Sequence, residues 1–240
     1  MANIGSYPLN EIVTGDSRLL APSLPDGCLD LVFTDPIYKN IQDYEWLSET
    51  AFRVLKDNTA CLVFHGIEYL PETIEAMQSN LHYRWQFPVL LTGGKSSRFH
   101  PKGFAKWYSC LWFEKGITQV YEHFADAQIS KYNKTFGMHE WSKSPVNLLH
   151  WLVAFTKPFD LVGDFFAGSG TIPVICKMTQ RNFIASEVNQ ETGILARNRL
   201  LQTMYPLELA KPNNRLQRTA GTVPLDGDLL TPGLFPAQEV

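Results

Sequence analysis

Asp164-Phe165-Phe166-Ala167-Gly168-Ser169-Gly170-Thr171 is the stretch on which the fold turns. It follows a short apolar run, Leu161–Asp164, that reads as a strand, and it opens Thr171–Met178, which reads as a helix. Glycines at positions 168 and 170 allow a tight turn and a close approach of backbone to ligand. The helix start beyond them offers free N–H groups. A second strand, Asn182–Ser186, ends at Glu187, where a carboxylate can accept hydrogen bonds from both hydroxyls of a ribose. Strand, glycine loop, helix, strand and acid together point to a nucleoside cofactor. A dinucleotide fingerprint needs a third glycine three positions after Gly170, and that position is Pro173. A pyrophosphate is therefore less favoured than S-adenosylmethionine, which has a ribose and an amino-acid tail but no phosphate. A nicotinamide dehydrogenase is the weaker alternative.

Working outward, strand-like and helix-like runs alternate. Upstream, Glu11–Thr14 reads as a short strand and Leu29–Thr34 as a strand buried on both faces. A helix over Tyr44–Leu55 carries Trp46, Leu47, Ala51, Val54 and Leu55 on one face. Thr59–Phe64 is a second buried strand, and Pro71–Gln78 a helix with Pro71 in its first turn. Trp85–Thr92 and Lys106–Glu114 follow as longer strands, which predicts an antiparallel edge. Residues 116–143 are polar and irregular. Pro145–Phe155 and Gln190–Met204 are helices. This series implies an α/β fold, a mostly parallel sheet covered on both faces, with one domain over residues 1–205. Residues 206–240, with Pro206, Pro212, Pro224, Pro232 and Pro236 and little periodicity, read as a disordered tail.

The composition fits: 240 residues, 45% hydrophobic, 19% charged, net charge -3. No apolar run approaches the roughly 20 residues that span a bilayer, and the N-terminus lacks a basic-then-apolar export signal, so a cytoplasmic protein is expected. The four cysteines are widely spaced, without CxxC or Cys/His clusters, so neither a metal site nor a disulfide framework is expected.

A second loop, Asp35-Pro36-Ile37-Tyr38, ends the most buried strand. In parallel sheets ligands bind beyond the carboxyl ends of strands, so this loop and the glycine loop would face one crevice. A nucleobase amino group is a poor nucleophile, because its lone pair is delocalised into the ring. The Asp35 carboxylate and the Pro36 carbonyl could each accept one of its hydrogens and draw the nitrogen toward a tetrahedral geometry. Tyr38 could stack on the ring. Alone, the tetrapeptide reads equally as a β-turn.

Taken together, Gly15-Asp16-Ser17, Leu24-Pro25-Asp26, Asp30–Tyr38, Lys143-Ser144-Pro145, Leu148-Leu149, Asp164–Thr171 and Phe183–Glu187 resemble the amino-group DNA methyltransferases that use S-adenosylmethionine on adenine N6 or cytosine N4. The catalytic motif precedes the cofactor motif, the order of that family's β group. The resemblance covers residues 10–203 and implies a Rossmann-like methyltransferase fold with circularly permuted motif order. By resemblance, Asp35 and Pro36 hold the target amino group and Tyr38 stacks on the flipped base. Asp16 contacts the cofactor's adenine, and Lys143 helps enclose the cofactor. Asp164, Phe166, Ala167, Gly168, Ser169 and Gly170 form the loop around its methionine end and ribose, and Glu187 binds the ribose hydroxyls. Asp rather than Ser at position 35 favours adenine N6. Two departures stand out: Ile37 where the family usually has a second proline, and Phe165 where it more often has proline. The first raises the alternative of a binding protein with impaired catalysis. Methylation of cytosine N4 or of RNA is the other.

Between Gly93 and Ser144 eight basic residues face four acidic ones, a segment of +4 in a chain of -3. Basic residues interleaved with aromatics suit phosphate contact and base stacking. Lys95, Arg98 and Lys102, in the KSSRFHPK loop, are the candidate phosphate contacts. Double-stranded DNA with a flipped base is the expected partner. A short target-recognition insert at about 116–143 leaves room for a second protomer, and a cognate endonuclease is a further partner the resemblance allows.

Overall fold

The computed structural model of the protein describes residues 2–92, 98–131 and 145–203. A small antiparallel ribbon, β1 (Asn3–Ile4) with β2 (Tyr7–Pro8), precedes β3 (Ile12–Thr14) and a four-residue helix α1 (Ser17–Leu20). Next come β4 (Leu29–Thr34), α2 (Ile41–Val54), β5 (Leu55–His65), α3 (Leu70–Met77) and β6 (His82–Thr92). A second ribbon, β7 (Arg98–His100) with β8 (Gly103–Phe104), leads to β9 (Trp107–Lys115) and β10 (Gln128–Lys131). The described chain ends with α4 (Pro145–Phe155), β11 (Leu161–Asp164), α5 (Thr171–Met178), β12 (Asn182–Glu187) and α6 (Gln190–Gln202).

Eight strands form one sheet in the order β10-β6-β9-β5-β4-β11-β12-β3. Among the described strands of this sheet only β9 runs against the rest, antiparallel to β5 and to β6. The antiparallel character expected at the rim is therefore carried two strands inside it, because β6 and β10 continue the sheet beyond β9 in the same sense as β5.

Side chains alternate between the two faces, as the period of two requires. Leu31, Phe33, Leu62 and Phe64 meet Trp151 and Leu152 of α4, Ile172 and Ile175 of α5 and Ala196 of α6. Val32, Cys61, Val63 and Leu111 meet Tyr44, Leu47 and Ala51 of α2 and Met77 of α3 on the opposite face. Both faces of the central strands are thus dry, which explains their continuous apolar sequences.

The chain leaves β4 toward β5 on one side and leaves β11 toward β12 on the other, yet β4 and β11 are paired neighbours (Val162 with Leu31, Gly163 with Val32). The loops after these strands diverge and leave a crevice at the switch point. The β7–β8 ribbon follows β6, which is parallel to β5, so it rises from the same edge of the sheet.

Four elements differ most from the sequence expectation: β5 begins at Leu55 rather than Thr59 and β6 at His82 rather than Trp85, and α2 and β10 differ as well. Helix α2 begins at Ile41 rather than Tyr44, because its first turn has little apolar signal and is set by polar contacts instead: Asn40 Nδ2 donates to Asp43 Oδ2 at 2.9 Å. Strand β10 lies in the segment read as irregular; its only large apolar residue, Ile129, is 58% exposed, so no buried face marked it. The remainder of that insert, 132–144, and the tail from 204 lie outside the described residues.

Candidate active site

Thr34, the last residue of β4, ties the two diverging loops together. Its hydroxyl donates to Asp164 Oδ1 at 2.8 Å and accepts the Phe166 N–H at 3.0 Å. The same N–H lies 3.3 Å from Asp164 Oδ1. Asp35, next in the chain after Thr34, is thereby held beside the glycine loop.

That loop is braced along its length. Ala167 N–H donates to the Ser186 carbonyl at 3.0 Å, and Gly168 N–H to Glu187 Oε2 at 2.9 Å. The other Glu187 oxygen accepts the Asn189 N–H at 2.8 Å. Gly168 and Gly170 both have positive φ, +51° and +77°. They differ in what surrounds them. A Cβ at Gly170 would meet Ala196 Cβ at 3.1 Å and Ile12 Cδ1 at 3.2 Å, whereas nothing lies within 4 Å of a Cβ at Gly168. Gly170 is glycine to let the loop seat on the domain; Gly168 turns toward open space.

Beneath the loop, the Ser17 hydroxyl donates to the Phe165 carbonyl and lies 2.7 Å from the Ser186 hydroxyl, which in turn is 3.2 Å from the Tyr7 hydroxyl. This buried chain brings the Asp16 segment against the glycine loop. Asp16 itself caps α1, accepting the Arg18 N–H at 2.9 Å. Phe165, in the position where proline is commoner, is buried against Tyr7 and Trp46, with ring centroids 6.5 and 5.7 Å apart. Trp46 also meets Phe166 edge-on at 6.0 Å. The extra bulk is absorbed by packing.

In the other loop Pro36 is buried, and the Tyr38 phenol donates to Asp35 Oδ1 at 3.1 Å. Burial, then the neighbouring Asp35 carboxylate, raises the Tyr38 phenol well above its ordinary range, so it stays a donor. Ile37 projects outward, 66% exposed. The loop is closed by Asn40, whose N–H donates to the Ile37 carbonyl at 3.0 Å. Asn40 and Arg18 both hold the buried Asp43, so α1 and α2 share one carboxylate.

The structure thus brings together Asp16, Asp35, Pro36, Tyr38, Asp164, Phe166, Ala167, Gly168, Ser169, Gly170 and Glu187. Sequence reasoning missed Ser17, Ser186, Arg18 and Asp43, whose partners lie too far away in the chain to be read from local pattern. Lys102 is exposed in the turn between β7 and β8. Arg98 falls in β7. Lys95 and Lys143 lie outside the described residues.

The crevice is acidic. Burial pushes the Asp164 carboxyl up to about 7, and the charges of Asp35 and Glu187 push the same way, against the bonds from Thr34 and Phe166. Asp16 and Asp164 both act electrostatically on Tyr7. The carboxylates of Asp16, Asp35 and Glu187, with Asp164 buried beside them, disfavour a pyrophosphate and suit a ligand that carries positive charge beside a ribose. Glycine 168, open where a side chain would intrude, and the Glu187 carboxylate fit such a ligand.

With this geometry in view, comparison with known proteins assigns the chain to a family. Residues 29–196 match the family described as DNA methylase, the N6/N4 methyltransferases, and the chain belongs to it. The Type II methyltransferase M.HpaI of Haemophilus parainfluenzae is 26% identical over 223 residues, covering 74% of this chain and 70% of that protein. Among solved structures, the M1.HpyAVI–SAM complex superposes with a TM-score of 0.68 at 22% identity, covering 79% of this chain and 98% of the other. The cytosine-N4-specific PvuII DNA methyltransferase superposes with a TM-score of 0.70 at 16% identity, covering 87% and 94%. These likenesses show a shared fold.

Asp164 allows a direct test of the site's electrostatics. Both hydrogen bonds to its side chain reach Oδ1, so Asp164→Asn can keep them through its amide oxygen. Between the unfolded carboxyl pKa of about 3.9 and the folded value of about 7, the wild-type native state binds a proton that the unfolded chain does not. Wild-type stability therefore falls as pH rises through that window, and the asparagine variant lacks this term. In urea unfolding, Asp164→Asn gains stability relative to wild type from pH 4 to pH 7 and levels off above. A difference that does not change with pH would contradict the assignment.

Proposed function

We propose that the protein transfers a methyl group from S-adenosylmethionine to the exocyclic amino group of a base flipped out of double-stranded DNA, with adenine N6 as the target. The observation that carries this reading is the Thr34–Asp164 hydrogen bond of 2.8 Å, which sets the acceptor loop and the glycine loop side by side. Membership of the DNA methylase family supplies the reaction class.

In this reading the cofactor, when bound, presents a methyl group on a sulfonium. The residues of the chain do the rest. Glu187 keeps lone pairs beyond those used by Gly168 and Asn189, enough to accept from ribose hydroxyls. Asp16 meets the adenine ring, and Phe166 to Gly170 wrap the methionine end over Asp164. The Asp35 carboxylate and the Pro36 carbonyl accept the two amino hydrogens, turning the nitrogen lone pair out of the ring. The Tyr38 phenol shares Asp35 with the incoming amino group while its ring covers the base. Alignment of nitrogen and methyl and exclusion of water supply most of the acceleration. Lys95, Arg98 and Lys102 contact phosphates, the last two from the β7–β8 ribbon, and flipping delivers the base to the crevice. Lys143 is proposed to close over the cofactor.

Ile37 in place of proline is consistent with activity. Pro36 keeps its own φ fixed and is buried, while the Ile37 side chain stands in solvent and displaces nothing.

Wild-type protein incubated with methyl-labelled S-adenosylmethionine and DNA of varied sequence incorporates label. Nucleoside analysis finds N6-methyladenine; N4-methylcytosine would move the target to the runner-up. Asp35→Ala lowers incorporation at least about a hundredfold with cofactor binding retained. Cofactor binding without incorporation into any DNA would overturn the reading. A separate experiment addresses the departure at position 37. Ile37→Pro changes turnover by no more than about threefold, as for an exposed side chain; a large gain would instead identify the natural protein as an impaired enzyme.

A further inference from the structure

The glycine loop is held from a second side by α6. Arg199 Nη1 lies 3.1 Å from the Ser169 carbonyl, 3.2 Å from the Ser169 hydroxyl and 3.0 Å from the Thr171 hydroxyl. One nitrogen with two hydrogens thus serves three oxygens, two on Ser169 in the turn between β11 and α5 and one on Thr171, the first residue of α5. The residue falls just past the stretch matched to the family, which ends at 196. No sequence pattern singled it out.

The position of this contact is informative. Gly168 is fixed by Glu187 through its N–H, and Gly170 N–H closes the turn onto the Ala167 carbonyl at 2.8 Å. The peptide carbonyl between them, that of Ser169, is the one Arg199 takes. With Gly168 and Gly170 both in the left-handed region, the loop has many alternative conformations, and each anchor reduces the entropy lost when a ligand orders it. Arg197, two residues earlier on the same helix, differs: it donates to the Ile12 carbonyl at 3.1 Å and the Thr14 hydroxyl at 2.7 Å and anchors α6 to β3. One helix therefore carries two arginines, one on the loop and one on the scaffold.

We propose that Arg199 is a positioning residue for the cofactor: its guanidinium holds the Ser169 turn in the shape that receives S-adenosylmethionine, without touching the DNA side of the site. This rests on the donor assignment made above. Because the guanidinium acts on the loop before any ligand arrives, its loss weakens cofactor binding and raises the KM for cofactor. The turnover number at saturating cofactor and the KM for DNA stay near wild type.

The test is calorimetric titration of the full chain with S-adenosylmethionine, alongside urea unfolding and steady-state kinetics. Arg199→Met keeps the packing of the side-chain stem and removes the donors; Arg197→Ala is the control for damage to α6. Arg199→Met is expected to bind the cofactor about tenfold more weakly or worse, the size of losing one charge-assisted hydrogen bond. Its turnover number and KM for DNA should stay within about twofold, and Arg197→Ala should lose stability with cofactor affinity unchanged. Wild-type affinity in Arg199→Met, or an equal loss in Arg197→Ala, overturns the proposal. If the wild-type protein binds no S-adenosylmethionine, the donor assignment falls and this proposal with it; if the wild type binds and Arg199→Met binds equally, this proposal alone falls.

Discussion

One hydroxyl group organises the crevice. Thr34 donates to Asp164 and accepts from the Phe166 amide, in a place where Thr34 and Asp164 are both shielded from water. Hydrogen bonds in such surroundings are strong when made and costly when left unmade. The topology brings β4 and β11 side by side and then sends their chains apart, so something must fix the distance between the loops that follow. Thr34 does so at the last residue of one strand and the last residue of the other. Asp35 inherits its position directly, and the glycine loop inherits its start. The proposed mechanism needs the acceptor of an amino group and the carrier of a methyl group on either side of one gap.

Charge is distributed to the same end. The cleft gathers Asp16, Asp35, Asp164 and Glu187, and burial alone makes the ionised form of Asp164 unfavourable. A ligand that carries positive charge relieves that cost, and one that carries phosphates adds to it. The stretch from 93 to 144 holds eight of the chain's 21 basic residues against four acidic ones, and its β7–β8 ribbon rises from the same sheet edge as the crevice.

Much of this was legible in the residues themselves. The buried strands announced themselves by unbroken apolar runs such as Leu29–Thr34, and α4, β11 and α5 begin and end where their patterns predict. The glycine loop and its distant Glu187 were recognisable because spacing, not contact, defines them. Strand β10 was hidden because a four-residue edge strand with an exposed Ile129 has no buried face to signal it. The start of α2 was hidden because polar contacts among Arg18, Asn40 and Asp43 set it. The position of β9 inside the rim follows from strand pairing over long separations, on which hydrophobic periodicity is silent. The supporting residues of the site, Ser17, Ser186 and Arg199, bond through their side chains to partners from 28 to 179 positions away, and only the folded chain reveals them.

The Thr34 hydroxyl ties the two loops to each other. The most direct measurement compares Thr34→Val, which keeps the shape and removes the hydroxyl, with Thr34→Ser, which keeps the hydroxyl. The readouts are cofactor affinity and single-turnover methyl transfer. The account predicts that Thr34→Val loses about tenfold or more in both while Thr34→Ser stays close to wild type. A valine variant that binds and transfers as the wild type does would contradict it.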